Sequence, residues 1–145
     1  MTSNYFAVSD KLALAPSTIP NAGWGIFATS FIPKSTYLGR YKGRKLNSEI
    51  KFIKLASSGR LEPNYAFDVN SGEGTLILDA TEPKYSNWTR YINCSRHDAE
   101  ENVIYIDQNG EIDFFARKPL YPGTELLFYY GELYAKKLGH ISEGV

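Results

Sequence analysis

Cysteine is nearly absent from this sequence of 145 residues, with one at position 94 and only two histidines. A lone cysteine excludes an internal disulfide, and one Cys with two His cannot supply a four-ligand structural zinc site. No metal is therefore expected, and a reducing compartment is the natural setting. An excess of charge is also lacking: Lys+Arg and Asp+Glu each number 16, so the net charge is zero. The balance lacks the basic stripe of a nucleic-acid binder, and no direct nucleic-acid contact is expected. The opening MTSNYFAVSDKLALAPS has no basic start followed by a long apolar run. Neither a secretory signal nor a membrane span is read there, and the expectation is a soluble, intracellular protein. Repeats, low-complexity tracts and charged linkers are missing as well, so residues 1–145 are expected to form a single domain.

What is present is an ordinary globular composition, 43% hydrophobic, with 11 Tyr, 8 Phe and 2 Trp. Tyrosine combines an apolar wall with a hydroxyl tip, and it also suits strand cores. Residues 5–15 read as a first strand ending near Pro16. Gly23 to Phe31 reads as a glycine-punctuated turn running into a strand over Ile26–Ala28, and Pro33 excludes a helix there. Tyr37 to Leu46 suggests a short strand and a bend. A helix is predicted over Glu49–Ser57, capped by Asn47 or Ser48 and stopped by Gly59. Strands over Tyr65–Val69 and Thr75–Asp79 flank a hairpin-like loop at residues 70–74. Strands over Val103–Asp107 and Ile112–Arg117 flank Asn109-Gly110, the strongest hairpin signal in the chain. A last apolar strand over Leu126–Tyr130 precedes a short helix, Leu133–Leu138. Many short strands with two small helices point to a mainly β fold.

Gly23-Trp24-Gly25-Ile26-Phe27-Ala28 fits the dinucleotide-binding pattern, but its context does not: no buried strand precedes it and no helix follows. The two glycines still allow a ligand close to the backbone. Cys94, His97 and Asp98 are too near in sequence to form a nucleophile triad. Asn87-Trp-Thr89 and Asn93-Cys-Ser95 match the glycosylation sequon, which is moot inside a cell.

The informative signal is a set of motifs in fixed order. Gly23-Trp-Gly25 is followed by Asn64-Tyr-Ala-Phe-Asp68 and then by Leu78-Asp-Ala-Thr81. Asn87-Trp-Thr-Arg-Tyr-Ile-Asn-Cys-Ser95 and Glu125-Leu-Leu-Phe-Tyr-Tyr-Gly131 complete the series. This order resembles the SET domain family of protein lysine methyltransferases, over a core of about residues 20–135. The Asn87–Ser95 segment, the acidic Asp98–Asn102 stretch and Tyr129-Tyr130-Gly-Glu-Leu-Tyr134 are closest to its PR subgroup. Zinc fingers accompany that subgroup in certain transcriptional regulators; none follow here, so a free-standing version is expected.

The resemblance implies a SET-domain fold of several small β-sheets with short helices and a C-terminal pseudoknot. It implies S-adenosylmethionine as cofactor, S-adenosylhomocysteine as product, and transfer of a methyl group to a protein lysine. Such a displacement needs alignment and a neutral amine. A lysine of pKa about 10.4 reaches that state only when an apolar channel and a neighbouring positive charge depress it. The resemblance assigns the cofactor cradle to Gly23, Trp24, Gly25, Arg90, Asn93, Cys94 and Tyr130. It assigns the lysine channel and catalysis to Tyr65, Tyr130 and Tyr134, with Tyr130 in the place of the catalytic tyrosine. The sequence departs from the family in having Cys94 where most members have His and Tyr129 where they have Asp. The expected partner is a lysine-bearing protein, foremost a histone tail, which would locate the protein in the nucleus. A non-histone substrate such as a ribosomal protein would leave it cytoplasmic, and a non-catalytic PR-like binding module is the alternative from another class. Neither monomer nor homodimer is favoured. Glu100, Glu101, Glu111 and Asp113 are either an acidic surface for a basic peptide or a solvated acidic face.

Overall fold

The computed structural model of the chain describes residues 6–46, 66–71, 74–95 and 98–129. Glycine, proline and polar turns interrupt the apolar alternation so often that no described strand exceeds six residues. Three sheets result, and the fold is mainly β as expected. In the first, β1 (Phe6–Ala7), β2 (Leu12–Pro16) and β3 (Trp24–Ala28) lie antiparallel in that order. The second has β5 (Arg44–Leu46), β7 (Gly74–Asp79) and β6 (Ala66–Ser71) in the order β5-β7-β6. The third runs β4 (Tyr37–Arg40), β10 (Glu111–Ala116), β9 (Val103–Gln108), β11 (Leu127–Phe128), β8 (Asn93–Cys94).

The chain separates into two compact units. One contains the described residues of 1–38, 91–104 and 115–145, the other those of 39–90 and 105–114. In the first unit Leu12, Ile26, Ile32, Val103, Leu120 and Leu126 are almost completely buried. In the second, Leu46, Leu78, Ile112 and Phe114 are. Each such side chain contributes about 1.5–3 kcal/mol through removal from water. The alternation in β10 shows the mechanism. Ile112, Phe114 and Ala116 are buried, whereas Glu111, Asp113 and Phe115 on the other face keep partial exposure.

Local chemistry explains where the structure departs from the sequence reading. The single strand expected over residues 5–15 is a hairpin of β1 and β2. Val8 N donates to Leu12 O at 3.0 Å and Lys11 N to Ser9 Oγ at 3.2 Å, so Ser9-Asp10 act as turn residues. The loop expected over residues 70–74 is tighter, because pairing continues to Ser71↔Gly74. Of the strand expected over Leu126–Tyr130, Leu127–Phe128 forms β11 among the described residues, and Tyr130 lies outside them. Leu126 N turns away to donate to Ile26 O of β3 at 2.7 Å, while Leu127 and Phe128 join β8 and β9 in parallel. This four-residue stretch therefore changes sheets between Glu125, bridged to Phe27, and Phe128. The helices expected over Glu49–Ser57 and Leu133–Leu138 lie outside the described residues, as does the segment expected to form the pseudoknot.

The β9–β10 hairpin follows its sequence signal. Asn109 and Gly110 have φ of 54° and 78°, the two left-handed residues a type I′ turn requires. A Cβ at Gly110 would be strained in that conformation. Gly110→Ala is expected to lower stability by about 1–2 kcal/mol, read from the midpoint of urea unfolding; an unchanged midpoint would contradict the turn assignment.

Candidate functional site

The Gly23-Trp24-Gly25 turn forms because β2 and β3 are joined through left-handed positions that few residues tolerate. Asn21 has φ 65° and Gly23 φ 76°, and Ser17 N closes the loop on Gly23 O at 2.7 Å. Among the described residues nothing lies within 4 Å of a Cβ placed on Gly23, which leaves this side of the turn open to them. Trp24 stands beside it, 41% exposed, its indole edge-to-face with the exposed Phe6 ring at 6.0 Å. Gly25 differs: it is buried, and a Cβ there would overlap Glu125 Oε2 and approach Ser17 Cα at 3.3 Å.

Glu125 is the hub of the site. Its side chain lies under the turn, and the residue is only 6% exposed. Ser17 Oγ donates to Oε2 at 2.8 Å; Thr18 N and Thr18 Oγ1 donate to Oε1 at 2.8 and 2.6 Å. Asn93 Nδ2 donates to Oε2 at 3.2 Å and to Trp24 O at 2.9 Å. Burying a carboxylate is costly unless hydrogen bonds replace its hydration, and four neutral donors do so here. One carboxylate thus ties the start of the glycine loop, the backbone of Trp24 and the side chain of Asn93 into one piece.

The predicted cradle residues Gly23, Trp24, Gly25 and Asn93 are therefore brought together. Cys94 follows Asn93 in β8, is 5% exposed and pairs with Phe128, its thiol 3.4 Å from Ser95 O. The adjoining Ser95 Oγ is fully buried without a hydrogen-bond partner among the described residues. Arg90 belongs to the second unit, where its Nε and Nη2 donate to Ala80 O and Thr81 O at 2.8 and 2.9 Å. There it fixes the main chain after β7, next to the buried Asp79, which holds Arg44 Nη2 and Thr81 N at 2.9 Å each. Tyr65, Tyr130 and Tyr134 lie outside the described residues.

Three of the four acids are ion-paired. Glu111 pairs with Lys45 at 2.8 Å and Asp113 with Arg40 at 2.9 Å, while Glu101 is buried and paired with Arg117. Glu125 itself was not foreseen as a site residue. The signal was a single acid placed before the apolar run Leu126-Leu127-Phe128, in a segment expected to be a strand.

These residues fit a nucleoside-linked amino acid such as S-adenosylmethionine. The open side of Gly23 admits the ligand to the main chain, and the exposed Trp24 ring offers an apolar wall. The family described as PR domain zinc finger protein 2, PR domain, matches residues 12–141. Histone-lysine N-methyltransferase set-17 of Caenorhabditis elegans is 34% identical over 128 residues, 88% of this chain and 43% of that protein. Human histone-lysine N-methyltransferase PRDM7 is 32% identical over 130 residues, 88% of this chain and 25% of that protein. The chain thus spans less than half the length of these curated relatives. The solved methyltransferase domain of human PR domain-containing protein 2 superposes with a TM-score of 0.70 at 28% identity, covering 86% of this chain and 80% of that one.

The Gly25–Glu125 contact gives a direct test. Gly25→Ala is expected to destabilise the protein by about 1–3 kcal/mol through overpacking. In a Glu125→Ala background that penalty should shrink, because neighbouring side chains couple non-additively. A penalty of equal size in both backgrounds, measured by urea unfolding, would remove Glu125 as the reason for glycine at position 25.

Proposed function

On the premise that the chain belongs to the PR domain family, a SET-like family, we propose that it is an S-adenosylmethionine-dependent protein-lysine N-methyltransferase that acts on a histone tail in the nucleus. The observation that carries the reading is that Glu125 and Asn93 brace the Gly23–Gly25 turn beside the exposed Trp24 ring. The names of the matched relatives support the substrate class.

The bound cofactor supplies an electrophilic methyl group on a sulfonium. The chain's own residues bind, orient and exclude water. Gly23 presents main chain without a side chain in the way and Trp24 adds the exposed ring beside it, while Gly25 lets Glu125 pack beneath the turn. Asn93 is oriented because its Nδ2 is committed to Trp24 O and Glu125, which leaves its carbonyl oxygen to accept from the ligand. Cys94 and Arg90 are assigned by resemblance to the same side as Asn93, Arg90 acting by fixing the chain after β7. Tyr65, Tyr130 and Tyr134 are assigned by resemblance to the lysine channel. Desolvation in the channel and the positive charge of the bound sulfonium would depress the lysine pKa, so that the amine loses its proton to water before transfer, and the aromatic walls would accommodate the methylated ammonium through cation–π contact. Tyr130, in the place of the catalytic tyrosine by resemblance, would orient the amine, alignment being the main demand of the reaction.

The test has two parts. Calorimetry with S-adenosylmethionine should give saturable binding, and labelled cofactor should transfer its methyl group to a histone lysine identified by mass spectrometry. Tyr130→Phe should bind cofactor as the wild type does but turn over about a hundredfold more slowly, the usual effect of removing one oriented hydroxyl. Undiminished turnover would take Tyr130 out of the mechanism. Cofactor binding without methylation of any protein would leave a binding module in place of an enzyme.

A further inference from the structure

A single large apolar side chain left in water is ordinary, but a contiguous set of them marks a contact surface. Two stretches of the first unit, residues 29–37 and 115–124, carry such a set. They run antiparallel, side by side. Ile32 and Leu120 exchange main-chain hydrogen bonds of 2.8 Å, Ser35 N donates to Ala116 O at 2.7 Å, and Ala116 N donates to Thr36 O at 2.9 Å. Ile32, Ala116 and Leu120 point inward and are almost completely buried. Neighbours along an extended chain point to opposite faces, so Phe31 and Tyr121, beside the Ile32–Leu120 pair, face water. They are 47% and 61% exposed, and their rings meet at 5.4 Å. At the other end Tyr37, 54% exposed, meets the half-buried Phe115 at 5.4 Å.

Between the two ring pairs the chain bends at Lys34-Ser35 and at Arg117-Lys118. Lys34, Arg117 and Lys118 are exposed, and residues 29–37 and 115–124 contain no Asp or Glu. Arg117 is compensated by Glu101. Among the described residues no acid pairs with Lys34 or Lys118. Along its length the outer face therefore reads aromatic, basic, aromatic. Residues 31 to 37 span at most about 20 Å, the reach of roughly six extended residues of another chain.

Charge separates the occupants such a face could take. A second copy in a two-fold contact sets one basic centre against another. Single-stranded nucleic acid draws its affinity from many phosphates and from rings with a free face for stacking. Here two lysines stand uncompensated, and each ring is tilted against its partner, at 50° and 60°. A peptide with acids at its centre and apolar residues on either side matches the order of the face. Aromatic residues are enriched at protein interfaces, and complementary charge fixes the register of a partner.

We propose that this face is a docking surface for an acidic segment of a partner protein, its carboxylates on Lys34 and Lys118 and its flanking apolar residues on the Phe31–Tyr121 and Tyr37–Phe115 pairs. Docking there uses no residue of the cradle and does not depend on the methyltransferase reading.

The experiment follows the fluorescence anisotropy of a labelled octapeptide, four glutamates between two pairs of leucines, on addition of the full chain. Saturable binding is expected, weakening as salt is raised. K34E combined with K118E should weaken it at least about tenfold, because like charges then meet. Both lysines lie in exposed bends, so this variant should keep the wild-type urea midpoint. F31S combined with Y121S should weaken binding as well, and a peptide with lysines in place of the glutamates should not bind. Absence of saturable binding to the wild type, or equal affinity for the wild type and the folded lysine variant, would overturn the proposal. So would tighter binding of a labelled oligothymidylate than of the peptide, or a dimer in sedimentation that F31S with Y121S dissociates. Should the ring variant not fold, the lysine variant and the lysine peptide decide alone.

Discussion

A carboxylate buried among neutral donors is the interaction on which the site depends. Glu125 stands 107 and 108 residues from the Thr18 and Ser17 that bond to it, and 32 from Asn93. Hydration of a carboxylate is worth far more than any single hydrogen bond, so it stays buried only while its replacement partners are held in place. The dependence runs both ways. The loop between β2 and β3 keeps its left-handed residues because Glu125 holds its first turn, and Gly25 has no side chain because Glu125 occupies that volume. The result is a backbone turn of fixed shape with one open side, beside an Asn whose orientation is set before any ligand arrives. Preorganisation of this kind lowers the ordering cost of binding.

The same short segment joins two sheets. Glu125 and Leu126 pair with β3, and Leu127 and Phe128 run parallel between β8 and β9. Main chain that touches both sheets passes any shift at one on to the other. Asn102 and Glu101 add the side-chain bonds that two residues of β11 are too few to supply by backbone pairing alone.

Local signals carried most of the fold into the sequence. Asn109-Gly110 marked its hairpin because only certain residues accept two successive left-handed conformations, and the apolar alternation of β10 set its buried face. The glycine turn and the family motifs were equally legible, and they brought Gly23, Trp24, Gly25 and Asn93 into one candidate cradle. Ser9-Asp10 was overlooked because apolar flanks made residues 5–15 resemble one strand. Glu125 was not legible as a site residue, because its role is side-chain hydrogen bonds to distant groups, which leave no periodic trace. Composition left Glu101 and its acidic neighbours as either a peptide surface or a solvated face; their ion pairs with Lys45, Arg40 and Arg117 appear only in three dimensions.

The central claim is that Glu125 builds the cofactor cradle without touching the chemistry. It is tested most directly by isothermal titration of S-adenosylmethionine into folded Glu125→Ala and wild-type protein. The account predicts affinity at least about tenfold weaker in the variant, equivalent to the loss of roughly 1.4 kcal/mol, with the sheets intact by circular dichroism. Equal affinities in the two proteins would contradict it.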